Sequence, residues 1–245
     1  MKSFIIAYMY PDLMNLFADR GNIICLQKRM QWYGFPCKVQ AVHIGTALSF
    51  DEVDMVFMGG GSDRGLKSIY GDLASRADDF KQAVEDQLPV LCIGNAYQLL
   101  GREYETAEGM QSGLNLCDFY TTLAQERMVG NIVLENSITG QKQFIVGFEN
   151  HTGKTFLTDK ASPFASVIKG YGNNGEDGSE GINYKNLVGT YLHGPLLPKN
   201  PHIADYFIQT MVQRRGIRTD WQHTLDDTIE WLAHEQIKSR VLKGR

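Results

Sequence analysis

The chain has little of what staples or anchors a protein. Its 245 residues include only 4 cysteines, and Cys25, Cys37, Cys92 and Cys117 stand far apart with no C-x-x-C pair. That spacing excludes a disulfide framework and a structural zinc site, and it predicts reduced, mostly buried thiols. No run approaches the roughly 18 consecutive apolar residues of a membrane span, and Phe4-Ile5-Ile6 behind Met1 is too short for the apolar region of a secretory signal. A cytoplasmic protein with no membrane span is expected. A charge excess is missing as well: 24 basic and 28 acidic residues, a formal net charge of −4, alternate along the chain. Nothing there offers a footprint for nucleic acid, which points to small-molecule or protein partners. No internal repeat or low-complexity linker interrupts a length able to bury a full core, so a single domain over 1–245 is expected, with a core to about 200 and C-terminal helices over 201–245.

What is present alternates. Phe4-Ile5-Ile6-Ala7-Tyr8 reads as a strand, and Asn22 as the start of a helix to about Tyr33, closed by Gly34. Cys37 to Ala41 alternates as a half-exposed strand does, and Asp54 to Met58 is another strand, running into Gly59-Gly60-Gly61. Phe80, Ala83 and Val84 have helical spacing, with Pro89 as the stop. Val90-Leu91-Cys92-Ile93 is apolar throughout, as a central strand covered on both faces must be. This pattern predicts a doubly wound α/β domain, a mostly parallel sheet with helices on both faces and ligands at the carboxyl ends of its strands. After Gly109, the runs 132–134, 144–146, 165–168 and 187–192 are separated by polar, glycine-rich turns and predict an added, largely antiparallel layer. The runs 203–212 and 226–242 predict closing helices, the last one charged enough to be a solvated or partner-facing tail.

Two motifs fail on context. Gly170-Tyr171-Gly172-Asn173-Asn174-Gly175 has the dinucleotide-binding spacing, but no helix follows to meet a pyrophosphate. Gly153-Lys154-Thr155 resembles the end of a phosphate-binding loop, without the strand-loop-helix around it. Three other features carry chemistry. The glycines after Met58 offer backbone N–H groups to an oxyanion, His193 after the 187–192 strand is a candidate general base, and Ile93-Gly94-Asn95-Ala96 turns sharply from strand to helix as a nucleophile elbow does. Gln98 stands on the first turn above that corner. For His193 the plain alternative is a satisfied core histidine; for Gly94 it is a glycine that merely allows a tight connection.

The stretches "DLMNLFADRGNI" (12–23), "FMGGGSDR" (57–64), "PVLCIGNAYQLLG" (89–101), "GFENHTGKT" (147–155) and "GYGNNGEDGSEGINYKNLVGTYLHGPLLPKNP" (170–201) resemble, in that order, a class I glutamine amidotransferase of the cobyric-acid-synthase-like group. The resemblance is closest to the GatD-type glutaminase subunits of lipid II isoglutaminyl synthase. It implies a flavodoxin-like core and release of ammonia from glutamine. It further implies a Mur-ligase-like (MurT-type) partner that holds ATP and uses the ammonia to amidate the D-glutamate α-carboxyl of lipid II, with no cofactor on this chain. Residue by residue, it makes His193 the catalytic histidine, Arg127 the glutamine-positioning arginine and Gly60 the oxyanion-loop glycine, with Asn95 beside the oxyanion. The family's nucleophilic cysteine falls on Gly94, and its two following glycines fall on Asn95 and Ala96. Glycine cannot form a thioester. Cys92 is the fallback nucleophile, about 6 to 7 Å back along the strand at 3.3 Å per residue. Two residues after His193, where many amidotransferases carry an orienting acid, stands Pro195. The resemblance thus implies first a glutaminase-type subunit of that complex; the alternatives are a catalytically silent binding or scaffold subunit of the same complex, or another cobyric-acid-synthase-like amidotransferase.

Overall fold

The structure is a computed structural model that describes residues 2–219 and 225–244. The strands β1 (Phe4–Met9), β2 (Cys37–Val42), β3 (Met55–Met58) and β4 (Val90–Ile93) begin the first sheet. The chain then builds a second sheet from β5 (Glu103–Thr106), β6 (Gly109–Ser112), β7 (Phe119–Asn136), β8 (Gln143–Leu157), β9 (Ala165–Lys169) and β10 (Ser179–Glu180). It returns to the first sheet for β11 (Ile182–Tyr184) and β12 (Leu187–Thr190), and β13 (Leu192–His193) joins the second. The helices are α1 (Arg20–Trp32), α2 (Asp63–Ala74), α3 (Ala77–Glu85), α4 (Asn95–Gln98), α5 (Pro201–Arg214) and α6 (Thr228–Leu242).

The first sheet has the order β11-β12-β4-β3-β1-β2, parallel except for β11 at its edge. Its strands alternate between two cores, as the two-residue side-chain period requires. Ala7, Met9, Val56, Met58, Val90 and Cys92 pack with Leu66, Ile69 and Leu73 of α2 and with Phe80 and Val84 of α3. Phe4, Ile6, Tyr8, Phe57, Leu91 and Ile93 pack with Leu26 and Met30 of α1 and with Ile203, Phe207 and Met211 of α5. Each such aliphatic or aromatic side chain contributes about 1.5–3 kcal/mol on burial, so the doubly covered sheet is the rigid base of the molecule.

Three expectations change. The 187–192 run does not lie wholly in the added layer: Leu187–Thr190 pairs in parallel with β4, and only Leu192 and His193 pair antiparallel with Glu149 and Phe148 of β8. The apolar residues suit either sheet, and the crossover falls at Tyr191. The first helix starts at Arg20 rather than at Asn22, because Asn22 is no cap. Its side chain donates to the Asp19 carbonyl at 3.1 Å and accepts from the Leu197 N–H at 2.8 Å, which ties α1 to the segment after His193. Of the four thiols only Cys92 and Cys117 are buried; Cys25 and Cys37 are partly exposed.

The closing helices are anchored by charge. Arg29, 2% exposed, forks onto Asp205 at 2.7 and 2.8 Å and onto Asp227 at 2.5 and 2.9 Å, joining α1, α5 and the start of α6. The α6 helix is docked rather than a free tail: His234 is buried against the Lys199 carbonyl at 3.0 Å. Among the described residues no helix is long and apolar enough to cross a membrane.

Candidate active site

The carboxyl ends of β3 and β4 bring the glycine loop and the corner together. Gly94 ends β4 with φ +64° and ψ −131°, a backbone conformation that glycine adopts freely and other residues adopt under strain. Its N–H donates to the Thr190 carbonyl at 2.8 Å, and α4 begins at the next residue. A Cβ at Gly94 would lie 2.7 Å from His193 Cε1 and 2.9 Å from Nε2. The imidazole therefore sits against the one position from which a nucleophile would rise. The sharp corner expected at Ile93-Gly94-Asn95-Ala96 is present, and no side chain rises from it.

His193 is 2% exposed, and its Nδ1 lies 3.2 Å from both carboxylate oxygens of Asp19, which is fully buried. A carboxylate on that side holds the proton on Nδ1 and turns the Nε2 lone pair toward Gly94, the arrangement a general base needs. Phe17, at φ +57°, covers the other side of the ring at 4.7 Å between centroids. Asp19 is thus the orienting acid that the residues around His193 do not supply. Nothing in the sequence spacing links positions 19 and 193; the pairing follows from the loop after β1 passing over the ends of β3 and β4.

Asp19 has a second task, accepting from the Gly60 N–H at 2.8 Å. Gly61 is engaged too: its N–H donates to Asn95 Oδ1 at 2.8 Å, and its carbonyl accepts from Asn95 Nδ2 at 2.8 Å. Of the donors expected to face an oxyanion, the Gly60 N–H is thus held by Asp19, and its neighbour in the loop, the Gly61 N–H, is held by the Asn95 side chain. Asn95 enters this site through its carboxamide, which the sequence reading, concerned with its backbone, did not anticipate.

The hollow in front of these groups measures about 450 Å³. Gly60, Gly94, Asn95, Gln98, Arg127 and His193 all line it, so residues far apart in sequence converge as the resemblance implied. Arg127 stands at a bulge in β7, between Leu123 and Met128, and donates to Asn150 Oδ1 at 2.7 Å. Gln98 is held by the Tyr191 hydroxyl at 3.1 Å, which contacts Thr155 Oγ1 at 2.7 Å. His151 is a wall residue that sequence reasoning missed: its ring stacks on Tyr191 at 3.7 Å and 2°, with Nδ1 2.8 Å from the Gly153 carbonyl. Two larger hollows, about 820 Å³ beside Pro11 to Arg20 and about 630 Å³ beside Asp205 and Trp231, contain neither the corner nor His193.

Cys92 is not brought into the site. It is fully buried in β4, faces the core shared with α2 and α3, and does not line the hollow. Burial pushes its thiol far above the ordinary cysteine value, so it carries no thiolate to act as a nucleophile. The phosphate-loop likeness is settled by the same strands: Lys154 lies within β8 and pairs with Glu176 at 2.5 Å.

A sharp corner after a central parallel strand, a carboxylate-oriented histidine over it and a glycine loop across it define a class I glutamine amidotransferase domain. The chain belongs to the CobB/CobQ-like glutamine amidotransferase family, whose pattern matches residues 5–201. It is 42% identical over 218 residues to the GatD subunit of the glutamine-hydrolysing lipid II isoglutaminyl synthase of Staphylococcus aureus, covering 89% of this chain and 88% of that one. It is 34% identical over 212 residues to the GatD subunit of Streptococcus pneumoniae, covering 86% and 81%. Among solved structures it resembles PurLQS from Thermotoga maritima, with a TM-score of 0.61 at 16% identity over 87% of this chain and 99% of that one. A glutamine amidotransferase of the same organism has a TM-score of 0.55 at 14% identity, over 100% and 95%. At such identities the likeness concerns the fold, and the fold is the expected one.

Proposed function

We propose that this chain is the amidotransferase-type subunit of a lipid II isoglutaminyl synthase, and that it does not itself release ammonia from glutamine. Its partner is a Mur-ligase-like (MurT-type) subunit, which holds ATP, activates the D-glutamate α-carboxyl of lipid II and accepts ammonia. Both act in the cytoplasm. The names and near full-length coverage of the GatD relatives support the complex; the glycine at the corner supports the silence. In the thioester route a thiol attacks the glutamine amide, the C–N bond breaks, His193 protonates the departing ammonia, and water then cleaves the thioester to glutamate. The first bond of that sequence needs an atom that Gly94 lacks and that buried Cys92 does not bring.

The observation that carries this reading is a complete corner, base and pocket around a nucleophile position with no side chain. Arg127 and Gln98 remain placed to meet glutamine, so the hollow is suited to bind the amino acid without cleaving it. The test is co-expression with a Mur-type ligase, followed by purification and amidation of lipid II with ATP. Co-elution of the two chains and amidation supported by ammonium are expected. A chain that fails to bind any such ligase, or a complex unable to use ammonium, overturns the reading.

A further inference from the structure

The corner differs from a working one at three adjacent positions, Gly94, Asn95 and Ala96, and the second has a structural consequence of its own. Asn95 is the first residue of α4, and its carboxamide makes a matched pair of bonds with the peptide groups of Gly61: Oδ1 accepts from the N–H and Nδ2 donates to the carbonyl, each at 2.8 Å. These two bonds clamp the glycine loop after β3 to the start of α4. The loop's other donor, the Gly60 N–H, is held by the Asp19 carboxylate at 2.8 Å. A ligand carbonyl seated between Gly94 and this loop therefore finds the Gly60 and Gly61 N–H groups already engaged. Charge developing on that oxygen would also face Asp19 with its nearest donor already taken.

We infer that Asn95 is a latch that withholds the Gly61 N–H from any ligand, so that restoring a thiol at position 94 does not by itself restore reaction at a glutamine-like carbonyl. This deepens the reading above, in that it takes the hollow as a glutamine pocket. It concerns the isolated chain and does not depend on the partner or on lipid II.

The experiment compares Gly94→Cys with the double variant Gly94→Cys/Asn95→Gly, using two alkylating probes and mapping the labelled peptide by mass, with the parent chain as the blank for its own four cysteines. The first probe is a chloroketone analogue of glutamine. Sulfur bonds to its methylene carbon as the carbon–chlorine bond breaks and chloride leaves, and the reaction is helped by a donor on the ketone oxygen. The second is iodoacetamide, too small to span the pocket, which reports access and thiolate content. Removing one oxyanion donor from a working site costs about 10²–10³ in rate, so release of the latch is expected to raise chloroketone labelling at least about tenfold. Iodoacetamide labelling is expected to change by less than about threefold. Equal chloroketone rates in the two variants overturn the inference, and so do parallel increases with both probes, which reveal a gain in access alone. Asn95→Ala, which removes the carboxamide and keeps a helix former in α4, serves as the second variant and is expected to behave as Asn95→Gly does. Failure of the chain to bind a ligase would leave these labelling rates as they are, so the two readings fail separately.

Discussion

Replacing Gly94 by alanine adds one methyl group where the backbone and its neighbour both resist it. The backbone stands at φ +64° and ψ −131°, and holding a non-glycine residue in such a region costs about 1–3 kcal/mol. The new Cβ would lie 2.7 Å from His193 Cε1 and 2.9 Å from Nε2, closer than a carbon can approach. His193 is buried and held at 3.2 Å by Asp19, so it moves only by loosening that bond, at a cost of about 1 kcal/mol. The sum is about 2–4 kcal/mol, which for a chain of this size lowers the melting temperature by roughly 4–16 °C. Urea denaturation of the parent, Gly94→Ala, His193→Ala and the double variant measures it. Because the steric part vanishes without the imidazole, the double variant is expected to be less destabilised than the two singles summed, by about 1 kcal/mol. A Gly94→Ala chain within about 0.5 kcal/mol of the parent would refute the reasoning, since it would mean that neither the corner nor the histidine is held as described.

Other outcomes follow from the buried polar groups. Asp19→Ala leaves the Gly60 N–H and His193 Nδ1 without their partner and is expected to cost about 2–4 kcal/mol by urea denaturation; a neutral result would remove Asp19 from its place as the orienting acid. Glu180 is fully buried, and burial raises its carboxyl from 4.5 to about 7. The unfolded chain gives up that proton first, so its contribution to stability is full below about pH 4.5 and is lost as pH rises toward 7. Glu180→Gln should gain stability relative to the parent across that window, and a flat difference would contradict the assignment. His202 runs the other way: burial, with His234 nearby, lowers its ring from 6.5 to about 4, and among the described residues neither of its nitrogens has a hydrogen-bond partner. Its penalty grows as pH falls from about 6.5 to about 4, because the unfolded ring takes up a proton that the folded one refuses. His202→Phe, which keeps the stack on Trp231, should therefore show a relative gain in thermal melts that grows from pH 8 down to about pH 4; an equal gain at pH 5 and pH 8 would count against it.

The parts of the fold legible in the sequence are those governed by local rules. The all-apolar run Val90–Ile93 could only be a strand covered on both faces, and the glycine after it marked the corner. His193 was legible because a polar side chain followed an apolar run and preceded Gly194-Pro195. What escaped was decided at long range. Asp19 meets His193 across 174 positions through the path of a loop, and β12 divides from β13 at Tyr191 because two sheets compete for one apolar stretch. Asn95 was legible as an unusual residue at a turn, but its hold on Gly61 depends on how closely two strand ends approach. The fate of Cys92 lay between these cases: the period of a strand placed it below the corner, and the structure adds that it faces the helices α2 and α3.

The central claim is that the corner lacks the atom that would make this subunit a source of ammonia, and the origin of the transferred nitrogen tests it most directly. The purified complex with a Mur-type ligase would be given lipid II, ATP and either amide-¹⁵N glutamine or ¹⁵N ammonium, and the mass of the amidated product recorded. Label from ammonium and none from glutamine is expected. Label from glutamine, at a rate that Cys92→Ser abolishes, would contradict it and place the nucleophile at Cys92.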